Sequence, residues 1–93
     1  MTMITSLAAD EQIALQLMQS IRADGEAACA PGKLDLISVT MDVSASAVDP
    51  AALTYRPRID RKTRTILFTG GTAEAASGIA MSATAVYRIR PAD

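Results

Sequence analysis

Two hydrophobic periods divide the chain. From Ser6 to about Ala23 the apolar residues recur at helical spacing. Ile13, Leu17 and Ile21 stand at i, i+4 and i+8, with Ala14 and Met18 widening the stripe, while Gln12, Gln16, Gln19 and Ser20 fall away from it. Ser6 fits a helix N-cap. Asp10 and Glu11 sit near the start, where the helix dipole favours acids, and Gly25 follows the last periodic residue, where a C-terminal glycine belongs. The spacing predicts one amphipathic helix. "ADGEAACAPGK" then reads as a loop with Pro31-Gly32 as its turn.

After Lys33 the period is two. Ile37, Val39, Met41 and Val43 share one face of a first strand, opposite Ser38, Thr40, Asp42 and Ser44. "AVDPAA" interrupts. Leu53, Tyr55 and Ile59 then alternate with Thr54, Arg56, Arg58 and Asp60, and Pro57 marks this second strand as an edge or a bulge. A third strand is predicted from about Thr63 to Thr69, "GGTAEAASG" as a loop, and a fourth strand from Ile79 to Ile89. On the fourth, Ile79, Met81, Ala83, Ala85, Tyr87 and Ile89 face one way, and Ser82, Thr84 and Arg88 the other. Parallel crossovers need a dozen or more residues, more than the turns here contain. The expected fold is therefore α+β: one N-terminal helix packed on a four-stranded antiparallel sheet, with the strands in meander order. Met41, Ile66 or Phe68, Ala83 and Ala85 are expected to meet Ile13, Leu17 and Ile21 across the helix–sheet interface.

Length bounds this to a single domain of 93 residues. The apolar content is mostly aliphatic, with no Trp, one Phe and two Tyr. So light a core points to completion by a second copy, as a homodimer or a dimer of dimers. With no His and one Cys, the chain excludes a zinc site and a Ser-His-Asp triad within itself. No cofactor or metal is expected. Cys29 has no His to activate it, so no thiol chemistry is assigned to it. No run approaches the ~20 apolar residues of a membrane span, and no signal-peptide pattern opens the chain. The expected setting is cytoplasmic, without a membrane partner. "MTMITSLA" resembles the leader of bacterial β-galactosidase that cloning vectors carry, so residues 1–5 enter no functional argument.

Charge changes the picture more. The net charge is −1, but residues 1–55 hold seven acids and two bases, and residues 56–93 hold seven bases and three acids. Five of the nine basic residues fall within "RPRIDRKTR", Arg56 to Arg64. Such segregation points to an anionic ligand near the second half, or to the two halves packing together. Aromatic stacking platforms are missing and the chain is acidic overall, so no nucleic-acid interface is expected. The Gly pair of "FTGGTAEAASG" lacks the "GK[ST]" of a phosphate-binding loop.

The ordered set "AADEQIALQLM", "LISVTMDVSASAVDP", "RIDRKTRTILFTGGTAEAASG" and "IAMSATAVYRI" resembles the hotdog fold of acyl-CoA thioesterases, over roughly residues 7–90. In that family a long helix is wrapped by a curved antiparallel sheet. The resemblance implies hydrolysis of an acyl-CoA thioester. It places the catalytic carboxylate early on the helix, at Asp10 with Glu11 beside it, and the CoA phosphates at Arg61, Lys62 and Arg64. The family's first strand and its HGG signature at the helix start are absent from this sequence. The chain thus reads either as a shortened hotdog protein or as one whose catalytic face is incomplete. In the second case it is a non-catalytic module that binds an acyl or other small apolar ligand, or serves assembly. Without the resemblance, Asp10 and Glu11 are helix-start acids, and the basic run is a solvated turn whose cations pair with Asp60 or Asp35. Arg56 and Arg58 read as solvating an outer sheet face or meeting a partner subunit.

Overall fold

The computed structural model describes residues 8–44 and 49–92. Helix α1 (Ala9–Cys29) buries Ile13, Leu17, Ile21, Gly25 and Cys29, a single file at four-residue spacing. It runs past Gly25, where the sequence predicts its end. Gly25 is where the helix comes closest to the sheet. A Cβ there would stand 3.0 Å from Leu67 Cδ2 and 3.1 Å from Leu34 Cδ1. The missing side chain permits close approach instead of stopping the helix. At the other end the Glu11 carboxylate accepts the Ala8 backbone N–H at 3.2 Å, which satisfies one of the helix's free donors. Ser6, the expected cap, lies outside the described residues.

Four strands follow: β1 (Lys33–Val43), β2 (Thr54–Lys62), β3 (Ile66–Ala75) and β4 (Gly78–Arg90), with a short 3₁₀ turn at Pro50–Ala52 before β2. Their order across the sheet is β1-β4-β3-β2, and every neighbouring pair is antiparallel. The meander expected for all four strands holds for β2, β3 and β4 only. β1 lies beyond β4, at the edge opposite β2. Residues 44–53 can span roughly 33 Å when extended, and the edge strands of a four-stranded sheet lie only about 14 Å apart. The chain can therefore cross the end of the sheet. Doing so aligns Leu36 with Tyr87, Val39 with Ala85, Met41 with Ala83 and Val43 with Met81, apolar against apolar.

Three bulges revise the expected faces; the one between β3 and β4 makes Ala80 the extra residue and turns Ile79, expected on the face of Met81, to the outer face beside Glu74. The β1–β4 register shifts between Leu36 and Ser38, so Val39, Met41 and Val43 share a face with Leu34 and Leu36, and Ile37 is the extra residue. The β2–β3 register shifts between Ile59 and Arg61. "GGTAEA" is strand, not loop. Gly70 pairs with Thr84, and Gly71 with Ala83, inside β3. Gly71 lets Ile21 approach, since a Cβ there would stand 3.0 Å from Ile21 Cγ1. On β3 the residue that meets the helix is the fully buried Leu67. Phe68 points to the opposite face, correcting the expected contact.

The core between helix and sheet is Ile13, Leu17, Ile21, Leu34, Leu67, Ala73, Met81, Ala83, Ala85 and Tyr87, flanked by Met18, Met41, Leu53 and Tyr55. Buried Thr69 keeps its hydroxyl satisfied by donating to the Ala85 carbonyl at 2.8 Å. The architecture is α+β, one N-terminal helix on one face of a four-stranded antiparallel sheet. The other face is open, and the three arginines of β2, Arg56, Arg58 and Arg61, lie on it. Among the described residues no helix is long and apolar enough to cross a membrane.

Candidate functional site

The alternation of β2 sends Arg56 and Arg58 to the outer face, away from α1. Both find partners there. Arg56 Nε meets Glu74 Oε1 at 3.1 Å, and Arg58 Nε meets Asp60 Oδ1 at 2.7 Å. Glu74 also accepts the Thr72 hydroxyl at 2.7 Å. That hydrogen bond chiefly, helped by the Arg56 guanidinium, holds its carboxyl below the ordinary value against the opposing effect of desolvation.

The bulge before Arg61 restores that residue to the outer face, opposite Phe68. Next to them Gly70 contributes no side chain to the row between Arg58 and Thr84. A Cβ on Gly70 would collide with the Arg58 guanidinium, so the bare backbone is what lets that side chain lie across the sheet. The outcome is an open cavity of about 440 Å³ lined by Asp60, Arg61, Phe68, Thr69, Thr84, Ala85 and Val86. Its floor is a pleated sheet, its wall an aromatic ring 38% exposed, and its rim a guanidinium. Among the described residues Arg61 makes no ion pair, because Asp60 is engaged by Arg58. A free guanidinium beside an exposed aromatic ring suits an anionic ligand with a flat apolar portion.

The three residues that the resemblance assigns to CoA phosphates diverge. Arg61 lines the outer cavity. Lys62, one residue on, points to the helix side, where its ammonium donates to the Ala28 carbonyl at 2.9 Å in the last turn of α1. Arg64 borders a second cavity of about 490 Å³, with Pro31, Gly32, Thr65, Ile89, Arg90, Pro91 and Ala92. Asp10 and Glu11 lie at the other end of α1. At 1.5 Å per residue, Asp10 stands about 27 Å along the axis from Ala28. Asp10 Oδ1 accepts the Glu11 backbone N–H at 2.8 Å. Neither cavity includes Asp10.

Two phenols sit on the helix side. Burial pushes the hydroxyls of Tyr55 and Tyr87 up from their ordinary value. The Arg22 guanidinium lies 5.5 Å from the centre of the Tyr87 ring, and its charge works against that rise. Arg22 is anchored besides by the Leu34 carbonyl at 2.7 Å and by Glu26 at 3.1 Å. Cys29 is buried in the last turn of α1, not in a loop. Among the described residues no three acids or thiols gather at metal-binding distance.

Phe68, Thr84 and Val86 are the site residues that the sequence reading missed. The signal was present in "TILFT", where Leu67 and Phe68 must face opposite ways. Period alone did not say which of them meets the helix.

No family model matches the chain, and no curated protein matches it. Among solved structures it is similar to the hypothetical protein TT1821 from Thermus thermophilus, with a TM-score of 0.67 and 9% identity. The superposition covers 88% of this chain and 76% of that one. Identity this low carries the fold alone. It supports a hotdog-like arrangement of one helix on an antiparallel sheet.

Proposed function

We propose that this chain acts on acyl-CoA thioesters, holding the CoA portion in the outer-face cavity. Arg61 meets the phosphates there, and Phe68 offers its ring to the adenine. The observation that carries this reading is the pairing of Arg61, which meets no carboxylate among the described residues, with exposed Phe68 over a sheet floor bared at Gly70. Asp10 is the carboxylate proposed for hydrolysis. At the helix start, it activates water or attacks the thioester carbonyl without needing an imidazole. In a single chain Asp10 and the basic turn lie at opposite ends of α1, so a hydrolytic site draws Asp10 from a neighbouring copy.

That same separation favours a second reading, a hotdog-like module that binds an acyl-CoA or another small apolar ligand without turning it over. Asp10 and Glu11 then serve only the helix start, where both already make hydrogen bonds. One experiment separates the two. Acyl-CoAs of graded chain length are incubated with the protein, while released thiol and bound ligand are measured in parallel. Thiol release supports hydrolysis, binding without release supports the second reading, and neither result leaves both without support.

A further inference from the structure

The outer-face cavity holds a conflict of charge. In a regular strand Asp60 and Arg61 would face opposite sides of the sheet. The bulge of β2 makes Asp60 the extra residue, and both side chains line the same cavity. A carboxylate one residue from a guanidinium competes with any incoming anion for it. Asp60 nevertheless pairs the other way. Its Oδ1 accepts Arg58 Nε at 2.7 Å, and among the described residues it makes no ion pair with Arg61. Arg58 itself lines no part of the cavity. Its guanidinium lies over Gly70, where a Cβ would stand 2.6 Å from Arg58 Cζ, so the bare glycine gives it a seat. The side chains of Arg58 and Asp60 are 49% and 41% exposed, so their pairing adds little to stability. Its effect falls on Arg61 instead.

We propose that Arg58 is a positioning residue for the anion site, holding the Asp60 carboxylate off Arg61 so that the Arg61 guanidinium is open to a phosphate. The inference rests on the reading of the cavity as the CoA site, and it gives that site a control seated outside its lining. With the Arg58 side chain gone, the cation left beside Asp60 in the same cavity is Arg61. Their pairing occupies the fork that a phosphate needs, and a ligand must break it before binding. Arg58 thus acts through Asp60 and not by its own charge. Loss of a positive charge alone weakens anion binding whatever stands at position 60. A released carboxylate weakens it only where position 60 is acidic.

Calorimetric titration of CoA into the full chain at low salt tests this, with Arg58→Ala, Asp60→Asn and the Arg58→Ala/Asp60→Asn double variant. Arg58→Ala should weaken binding about tenfold, the loss expected when one charge-assisted contact is quenched, while the urea midpoint hardly moves. Adding Asp60→Asn should return the affinity to near the parent's, a far larger gain than the same substitution gives in the parent. The Nε–Hε NMR signal of Arg61 is read alongside, in protein without ligand. It should shift on Arg58→Ala and return in the double variant. A CoA affinity untouched by Arg58→Ala, or a gain from Asp60→Asn equal in both backgrounds, would overturn the proposal and leave the CoA reading standing. A parent that binds no CoA would overturn that reading instead, and the Arg61 signal then decides alone. A signal that shifts and returns supports the positioning role, and one indifferent to Arg58→Ala overturns it.

Discussion

Gly25 of the helix lies against Leu67 of the sheet so closely that a Cβ on the glycine would stand 3.0 Å from Leu67 Cδ2. Ala in place of Gly inside a helix ordinarily gains about 1 kcal/mol. Here the added methyl would press on Leu67 and Leu34, both buried, and each would have to shift by a few tenths of an ångström to admit it. Overpacking a core costs about 1–3 kcal/mol, so the steric loss outweighs the gain. Gly25→Ala should lower the urea midpoint. A raised midpoint would show that the two leucines swing aside.

Leu17 is the second residue in the buried file of α1, between Ile13 and Ile21, and is fully buried. Leu17→Ala should cost about 2–5 kcal/mol, because the surrounding core closes only part of the cavity. Leu15, half-exposed two residues away, is the comparison. Leu15→Ala should move the midpoint far less, and equal losses would contradict the assigned helix face.

The helix stripe and most of the strands were legible because burial imposes a period on residues such as Ile13, Leu17 and Ile21, or Ala83, Ala85 and Tyr87. Three features were not legible. Gly25 and Gly71 read as breaks, but they are close approaches, and sequence does not say whether a glycine is needed for its torsion or for its small size. The place of β1 beside β4 depends on a crossing that local pattern does not encode. The bulges at Ile37 and before Arg61 shift parity, so the pattern alone did not say which of the alternating neighbours Arg61 and Lys62 takes the outer face of the sheet. A run of charge in sequence thus gave one cation to the outer cavity, one to the helix end and one to the far turn.

Glu74 offers a pH prediction. Its folded value is depressed, chiefly by the Thr72 hydroxyl and then by Arg56. A depressed carboxylate contributes stability that is present above its unfolded value and lost as pH falls through its folded value. Thr72→Val removes the leading cause. The Glu74 titration midpoint, followed by NMR, should then climb toward the ordinary carboxylate range. A midpoint that stays put would assign the depression to Arg56 alone.

For catalysis the discriminating variant is Asp10→Asn, which preserves size and hydrogen bonding but removes basicity. Thioester hydrolysis should fall by roughly 10²–10⁴, the usual scale for losing a general base, with CoA binding and fold retained. Equal activity in the variant would leave Asp10 as a helix-start acid and move the reading to ligand binding.

The outer cavity itself is tested most directly by titrating CoA into isotope-labelled protein at low salt and following backbone amide shifts. Shifts should concentrate at Arg61, Phe68, Thr84 and Val86. Arg61→Ala should weaken binding about tenfold, as expected on losing one charge-assisted contact, and that difference should shrink as salt screens the pair. No shifts at all, shifts gathered instead around Arg64 and Arg90, or an Arg61→Ala affinity equal to the parent's at low salt would contradict the assignment of CoA to this face.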